Sequence, residues 1–190
     1  MISKRPMSAS LGVLFVVTSA AMAQPERRVP AEWEPQEAIW IQWPGPFEQT
    51  YVPAFAEMTN VIVQYQRIHI LHDTNPIQNQ ARNAITAAGG DPDHPNITWH
   101  HIANDNAWMR DNGPIYVEQD GAMRIQDWDF DAWGGAFGGF IPFANDDAVP
   151  IAVGSFLGMP VDHVPIVHER GNLEFNGVDT VLLNWNVIGN

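Results

Sequence analysis

The chain has 190 residues, 45% of them hydrophobic and 16% charged, which suits one ordinary globular domain or a piece of a larger one. Twenty-two acidic residues against nine basic ones give a net charge of −13, a surface that repels phosphate backbones and argues against nucleic acid as a partner. There is no cysteine, so no disulfide staples the chain and packing must hold it together.

In chain order, Lys4 and Arg5 make a positive start, Leu11 to Val17 is an apolar run, and Ala21-Met22-Ala23 offers a small-x-small cleavage site. This order predicts a secretory signal peptide over residues 1–23, export to the periplasm or medium, and a functional part over residues 24–190. The apolar run is too short to span a bilayer, and no later stretch of the sequence is long and apolar enough to do so. Loss of the leader removes Lys4 and Arg5 but no acid, and leaves no lysine.

Arg27 to Pro35 reads as an extended arm, and Ala38 to Gln42 as a buried strand ending at Trp43-Pro44. Pro53 to Gln64 has apolar residues at helical spacing, with Phe55, Met58, Val61, Ile62 and Tyr65 expected on the inner face. A strand is predicted at Arg67 to Leu71. A helix then begins with Asn75 as cap and Pro76 at its first position, and Gly89-Gly90 stops it. Strands at Ile97 to Ile102 and Asp162 to Val167, with a helix at Val149 to Leu157 between them, complete a mixed α/β pattern.

Two segments echo each other. Asp111-Asn112-Gly113 precedes a strand at Ile115 to Glu118, a turn at Asp120-Gly121 and a strand ending near Trp128. Glu169-Arg170-Gly171 precedes Leu173 to Phe175, a turn at Asn176-Gly177 and a strand ending at Trp185. Repeated units that stack or radiate would set the acids at equivalent ends, so that Asp111 and Glu169 could meet near one axis. Carboxylates among tryptophans suit a cation, above all a planar one.

The sharpest segment is Trp108-Met109-Arg110-Asp111-Asn112-Gly113-Pro114. As plain structure it is turn material with a core tryptophan and a paired arginine. As a site, Asp111 accepts guanidinium N–H groups in bidentate fashion and Trp108 supplies an apolar or cation–π wall. This Trp-x-Arg-Asp-x-Gly-Pro segment resembles the signature of the agmatine deiminase and bacterial (Porphyromonas-type) peptidyl-arginine deiminase family. Pro30 to Pro35 with Trp40 and Trp43-Pro44, Asp127 to Gly135, and Glu169-Arg170-Gly171-Asn172 resemble further blocks of that family in the same order.

The resemblance implies a five-bladed α/β propeller of ββαβ units, the pentein fold of the guanidino-group-modifying enzymes. Five such units need about 300 residues, so about half of the ring is expected here. It also implies hydrolysis of a guanidino carbon–nitrogen bond: agmatine to N-carbamoylputrescine and ammonia, or peptidyl-arginine to citrulline. Two carboxylates grip the guanidinium, a cysteine thiolate attacks its carbon, and a histidine moves protons. Carried onto this chain, Asp111 is the first carboxylate and Trp108 its wall. Trp133 adds an aromatic face, Glu169 and Asn172 shape the pocket floor, and Arg110, Gly113 and Pro114 support the loop.

Departures bear on competence. No cysteine and no His-x-Asp occurs in the 190 residues, so none of the catalytic residues proper is expected among them. Arg170 stands where the family has glycine and would repel a cationic substrate unless it turns away. His69/His72, His100-His101 and His163/His168 lack the spacing of a compact metal motif, so neither metal nor other cofactor is expected. Asn96-Ile97-Thr98 matches the glycosylation pattern. The reading that follows is an N-terminal deiminase portion, inactive as written. A non-catalytic periplasmic binder of arginine-like or polyamine cations is the alternative, and an open ring prone to aggregation the third. The substrate stays open, because an acidic setting favours agmatine while export favours peptides. Oligomeric state is not legible.

Overall fold

The computed structural model describes residues 27–184; the leader expected at 1–23 and Trp185 lie outside them. Three parallel strands come first in space: β2 (Ala38–Gln42), β3 (Arg67–His72) and β4 (Ile97–His101), side by side in that order. The crossovers are α1 (Val52–Ile62) and α2 (Asn75–Ala87), as parallel neighbours require. Central β3 is covered on both faces. Ile68 and Ile70 are fully buried beneath α1 and α2, and Leu71 belongs to the second core on the opposite side.

Two local expectations change. The cap of α2 is Thr74, not Asn75: Thr74 is extended and its Oγ1 accepts from Ile77 N at 3.5 Å, while Asn75 is already helical and Pro76 lies in the first turn. The inner face of α1 is also rotated. Ala56 and Thr59 are its buried residues, with Val52, Phe55 and Ile62 packed alongside, whereas Met58, Val61 and Tyr65 are exposed. Small residues on that face let α2 approach closely, and Asn60 Nδ2 reaches Ile85 O at 3.3 Å and Ala88 O at 3.2 Å.

The second sheet holds β1 (Arg27–Arg28), β5 (Ile115–Gln119), β6 (Ala122–Asp129) and β7 (Val161–Val167) in that order. Hairpin β5–β6 is antiparallel; α4 (Ala144–Asp147) and α5 (Val149–Leu157) then cross over to β7, parallel to β6. This is one complete ββαβ unit. Its core is Ile125, Val149 and Val153 with Leu71 from the first sheet, so the two layers share a seam. The hairpin β8 (Leu173–Phe175) with β9 (Val181–Leu183) opens the next unit. Its turn is longer than expected: Asn176 Oδ1 accepts from the backbone of Val178, Asp179 and Thr180 before the chain reverses.

The echo seen in the sequence is therefore structural. Each hairpin is entered through one short helical turn, α3 (Met109–Asn112) ahead of β5 and a 3-10 turn at Arg170–Asn172 ahead of β8, and the two turns pack on each other. The arm at 27–35 laces the hairpins together. Arg28 pairs with Glu34 at 2.8 Å and with Glu118 at 2.8 Å, and donates to Gly177 O at 3.3 Å.

Candidate functional site

Asp111 stands where the two entry turns meet. Its Oδ1 lies over Gly171, only 2.4 Å from the position a Cβ there would take, so glycine is what admits the carboxylate. Gly113 serves the same turn from below: a Cβ would stand 2.4 Å from Met109 O, the carbonyl that accepts from Gly113 N. Pro114 follows and cannot continue the helical turn.

Among the described residues Asp111 has no ion pair and no hydrogen-bond partner for its side chain. Burial pushes its carboxyl above the usual aspartate range, the nearby Glu169 charge pushes the same way, and Arg110 opposes both. The two acids of the echo are thus within electrostatic reach of each other. Glu169 is itself largely covered, with Oε2 3.7 Å from His168 Nδ1.

The neighbouring arginines turn away. Arg110 is held by Glu32 and, at 2.9 Å, by Glu174, joining the arm to β8. Arg170 is buried, donates to Trp128 O and lies 3.8 Å from Asp127. Burial lowers its pKa to about 10, with Asp127 chief among the acids that hold it up. Burial correspondingly raises Asp127, against the Arg170 charge. Asn172 is committed elsewhere: its Nδ2 meets His168 Nε2 at 3.2 Å and donates to Asn184 O at 3.1 Å, and its Oδ1 accepts from Asn184 N at 2.9 Å. It braces the second hairpin.

Aromatic walls stand on the loop side. Trp108 caps α3, is partly exposed, and meets Tyr51 at 6.0 Å and Trp133 at 5.8 Å, both edge-to-face. Trp133 in turn meets Phe130 and Phe137, each at 5.3 Å. Ala132 (φ 55°) and Trp133 (φ 60°) are both left-handed. That costs about 1–2 kcal/mol per residue, which the aromatic packing and the Gly134 N to Asp131 Oδ1 bond of 2.7 Å oppose.

Sequence patterns did not mark three contributors. Tyr51 flanks Trp108. Glu48, buried, accepts from Gly45 N at 3.4 Å and faces the Ala107 N–H and the Trp108 indole; burial nonetheless raises its pKa. Asp146, fully buried on α4, accepts from the residue 105–106 segment and from Gln42, and burial raises it to about 6. An acid in a loop or in one short helical turn, as Glu48 and Asp146 are, carries no period or spacing by which to find it.

Other sequence candidates lie apart from this site. His69 and His100 are paired on adjacent strands, and no group of three metal-ligating side chains comes together among the described residues. Asn96 Nδ2 donates to Val63 O at 2.8 Å, so the amide of the glycosylation triplet is engaged. No helix among the described residues is long and apolar enough to cross a membrane.

Residues 28–190 match the model of the Porphyromonas-type peptidyl-arginine deiminases. The chain belongs to that family. A family relative from Yersinia pseudotuberculosis is 32% identical over 159 residues, 81% of this chain and 42% of the relative. The agmatine deiminase of Pseudomonas aeruginosa is 35% identical over 130 residues, 64% of this chain and 33% of that protein. The solved agmatine deiminase of Enterococcus faecalis superposes with a TM-score of 0.71 at 28% identity, over 85% of this chain and 44% of that one. An agmatine deiminase of C. jejuni with substrate bound gives the same TM-score at 19% identity, over 91% and 48%. The deiminase fold, the pentein α/β propeller, is therefore present over about half of its extent, and the chain spans less than half the length of the curated relatives it matches.

Proposed function

We propose that this chain supplies the guanidinium-binding side of a deiminase site that takes agmatine or a close analogue. One observation carries the reading: Asp111 is a half-buried carboxylate with no side-chain partner among the described residues, close to the Glu169 charge, on the short turn that Trp108 caps. A flat guanidinium laid against Trp108 could present two N–H groups to Asp111, and the Glu169 charge would add to the attraction. A cation there also relieves the repulsion between the acids and favours the charged form of Asp111.

The choice of agmatine over peptidyl-arginine rests on the two nearby arginines. A substrate carrying a carboxylate needs a cation to read it, yet Arg110 is taken by Glu32 and Glu174 and Arg170 is buried against Trp128 O and Asp127. An amine-bearing, decarboxylated substrate meets no such requirement, and the strongly acidic chain favours it. The leader-like order of residues 1–23 argues for a periplasmic or extracellular setting for this activity.

Deimination proceeds by thiolate attack on the guanidino carbon, loss of ammonia and hydrolysis of the thiouronium-type intermediate. The 190 residues hold no cysteine and no His-x-Asp, so we assign them binding and not the covalent step. A serine would be a poor replacement, its hydroxyl being far less ionised than a thiol near neutral pH. A second reading, a periplasmic binder of guanidino or polyamine cations without turnover, rests on the same Asp111 carboxylate and aromatic faces.

Isothermal titration with agmatine, with ammonia release assayed in parallel, tests both. Saturable heat that Asp111→Asn weakens by about tenfold or more, the scale of a charge-assisted hydrogen bond, supports the binding role. Ammonia release by the purified chain alone overturns the non-catalytic assignment. No heat from a cooperatively folded wild-type chain overturns the site.

A further inference from the structure

Four successive residues ahead of Asp111 are gripped by two buried acids that belong to no recognised motif. Asp146 Oδ1 accepts from Asp105 N at 2.8 Å and Asn106 N at 3.3 Å, and from Gln42 Nε2 at 3.1 Å; its Oδ2 accepts from Asn106 Nδ2 at 2.8 Å. Glu48 faces the next N–H, that of Ala107, and the indole of Trp108, and both hold its pKa down against burial. Neither acid has a cation partner among the described residues. Asp105 returns the grip, its carboxylate accepting from Asn145 N at 2.8 Å and Asn145 Nδ2 at 2.9 Å, and Asn106 Nδ2 also reaches Pro142 O at 2.7 Å.

A carboxylate held in the interior without a cation is expensive and is retained only where donors surround it. Here those donors are consecutive N–H groups of one loop, together with the side chain of the wall tryptophan. The anchors lie on rigid supports. Gln42 ends β2 and is fully buried, Asp146 lies on α4, and Glu48 sits just before the turn that starts α1.

We propose that Glu48 and Asp146 are positioning residues: two buried carboxylates that clamp the 105–108 loop between β2, α4 and the α1 entry turn, and so fix where Trp108 presents its ring to the cation. The clamp itself is independent of what binds; its effect on binding rests on the function proposed above. Glu48 sets the indole directly, and Asp146 sets the backbone that delivers it. Neither touches the ligand.

Hydrogen exchange followed by nitrogen–proton NMR on the full chain tests this, with the Trp108 indole signal assigned by its loss in Trp108→Phe. Asp146→Ala is expected to speed exchange at Asp105 and Asn106, and Glu48→Gln at Ala107 and the indole, each by roughly tenfold to a hundredfold, the range for losing a charge-assisted hydrogen bond. Amides of Ile68 and Ile70 in β3 keep their rates, which separates loop release from general unfolding. Asp146→Asn, which keeps the shape and one acceptor oxygen, substitutes if the alanine variant does not fold, with a smaller effect in the same direction.

A second arm titrates agmatine: both variants bind it more weakly than wild type, with Asp111→Asn as the reference loss. If the wild-type chain binds no agmatine, the proposed function fails, and exchange at residues 105–107 and the indole alone decides the clamp. Unchanged exchange at those positions in both variants overturns the proposal. So does faster exchange with undiminished agmatine affinity in a chain that binds it.

Discussion

His100 gives the sharpest stability test, because its ring is buried between partners that leave no room for a second proton. Its Nε2 lies 2.7 Å from His69 Nδ1, so one proton serves both nitrogens. Trp40 stacks at 5.1 Å and Phe156 meets the ring edge-on at 4.3 Å. Burial, and secondarily the neighbouring His69 and His72, lower its pKa from 6.5 to about 4. The folded chain therefore keeps His100 neutral, whereas the unfolded chain protonates it near 6.5. Its stabilising contribution is complete above 6.5 and is lost progressively as pH falls toward 4.

At roughly 1.4 kcal/mol per pH unit, the loss across that window is about 3 kcal/mol. Asp146 and Asp111 work the other way, since acids raised by folding bind protons more readily when native, and acidification favours the fold through them. The informative quantity is therefore a difference between proteins. His100→Phe keeps a flat ring and cannot titrate. It should be less stable than wild type at pH 7.5, by about 1 kcal/mol for the lost hydrogen bond, yet lose about 3 kcal/mol less on going to pH 4. Urea unfolding followed by tryptophan fluorescence at several pH values measures this. Parallel pH profiles for the two proteins would refute the reasoning.

Gly171→Ala should leave the melting temperature nearly unchanged, because the atom in the way is the mobile end of Asp111. It should nonetheless weaken agmatine binding by about tenfold, the scale of a displaced charge-assisted hydrogen bond, as read by calorimetry. Arg170→Gln should destabilise by about 3 kcal/mol, leaving Asp127 buried without its cation; a midpoint shift in urea well below that would show the pair to be dispensable. Agmatine affinity should fall on acidification at a higher pH than an ordinary aspartate would give, since binding needs the Asp111 carboxylate and burial raises its pKa; Asp111→Asn should remove that component.

Much of the frame was legible because local rules and global packing agree. Strands β2, β3 and β4 and helices α1 and α2 fall where apolar runs and Gly or Pro punctuation place them. The two hairpins were visible as an echo, and its acids come near enough for the Glu169 charge to push the Asp111 pKa up. Legibility failed where the answer lay in partners far along the chain. On α1 the small Ala56 and Thr59, not the larger Met58 and Val61, are the buried residues, a choice set by what the helix packs on and not by its own apolar spacing. Gln42 and Asp146 are 104 positions apart, and nothing local in either announces the other. The turn of the buried Arg170 away from Asp111 likewise depends on a carbonyl of β6 that no spacing rule connects to it.

The close fit of Asp111 over Gly171 has a consequence for assembly. The acid is carried by one ββαβ unit, but its direction is dictated by the turn that opens the following unit. The proposed guanidinium recognition is thus a property of the junction between repeats, and a chain stopping at Val167 would own the carboxylate while lacking the surface that aims it.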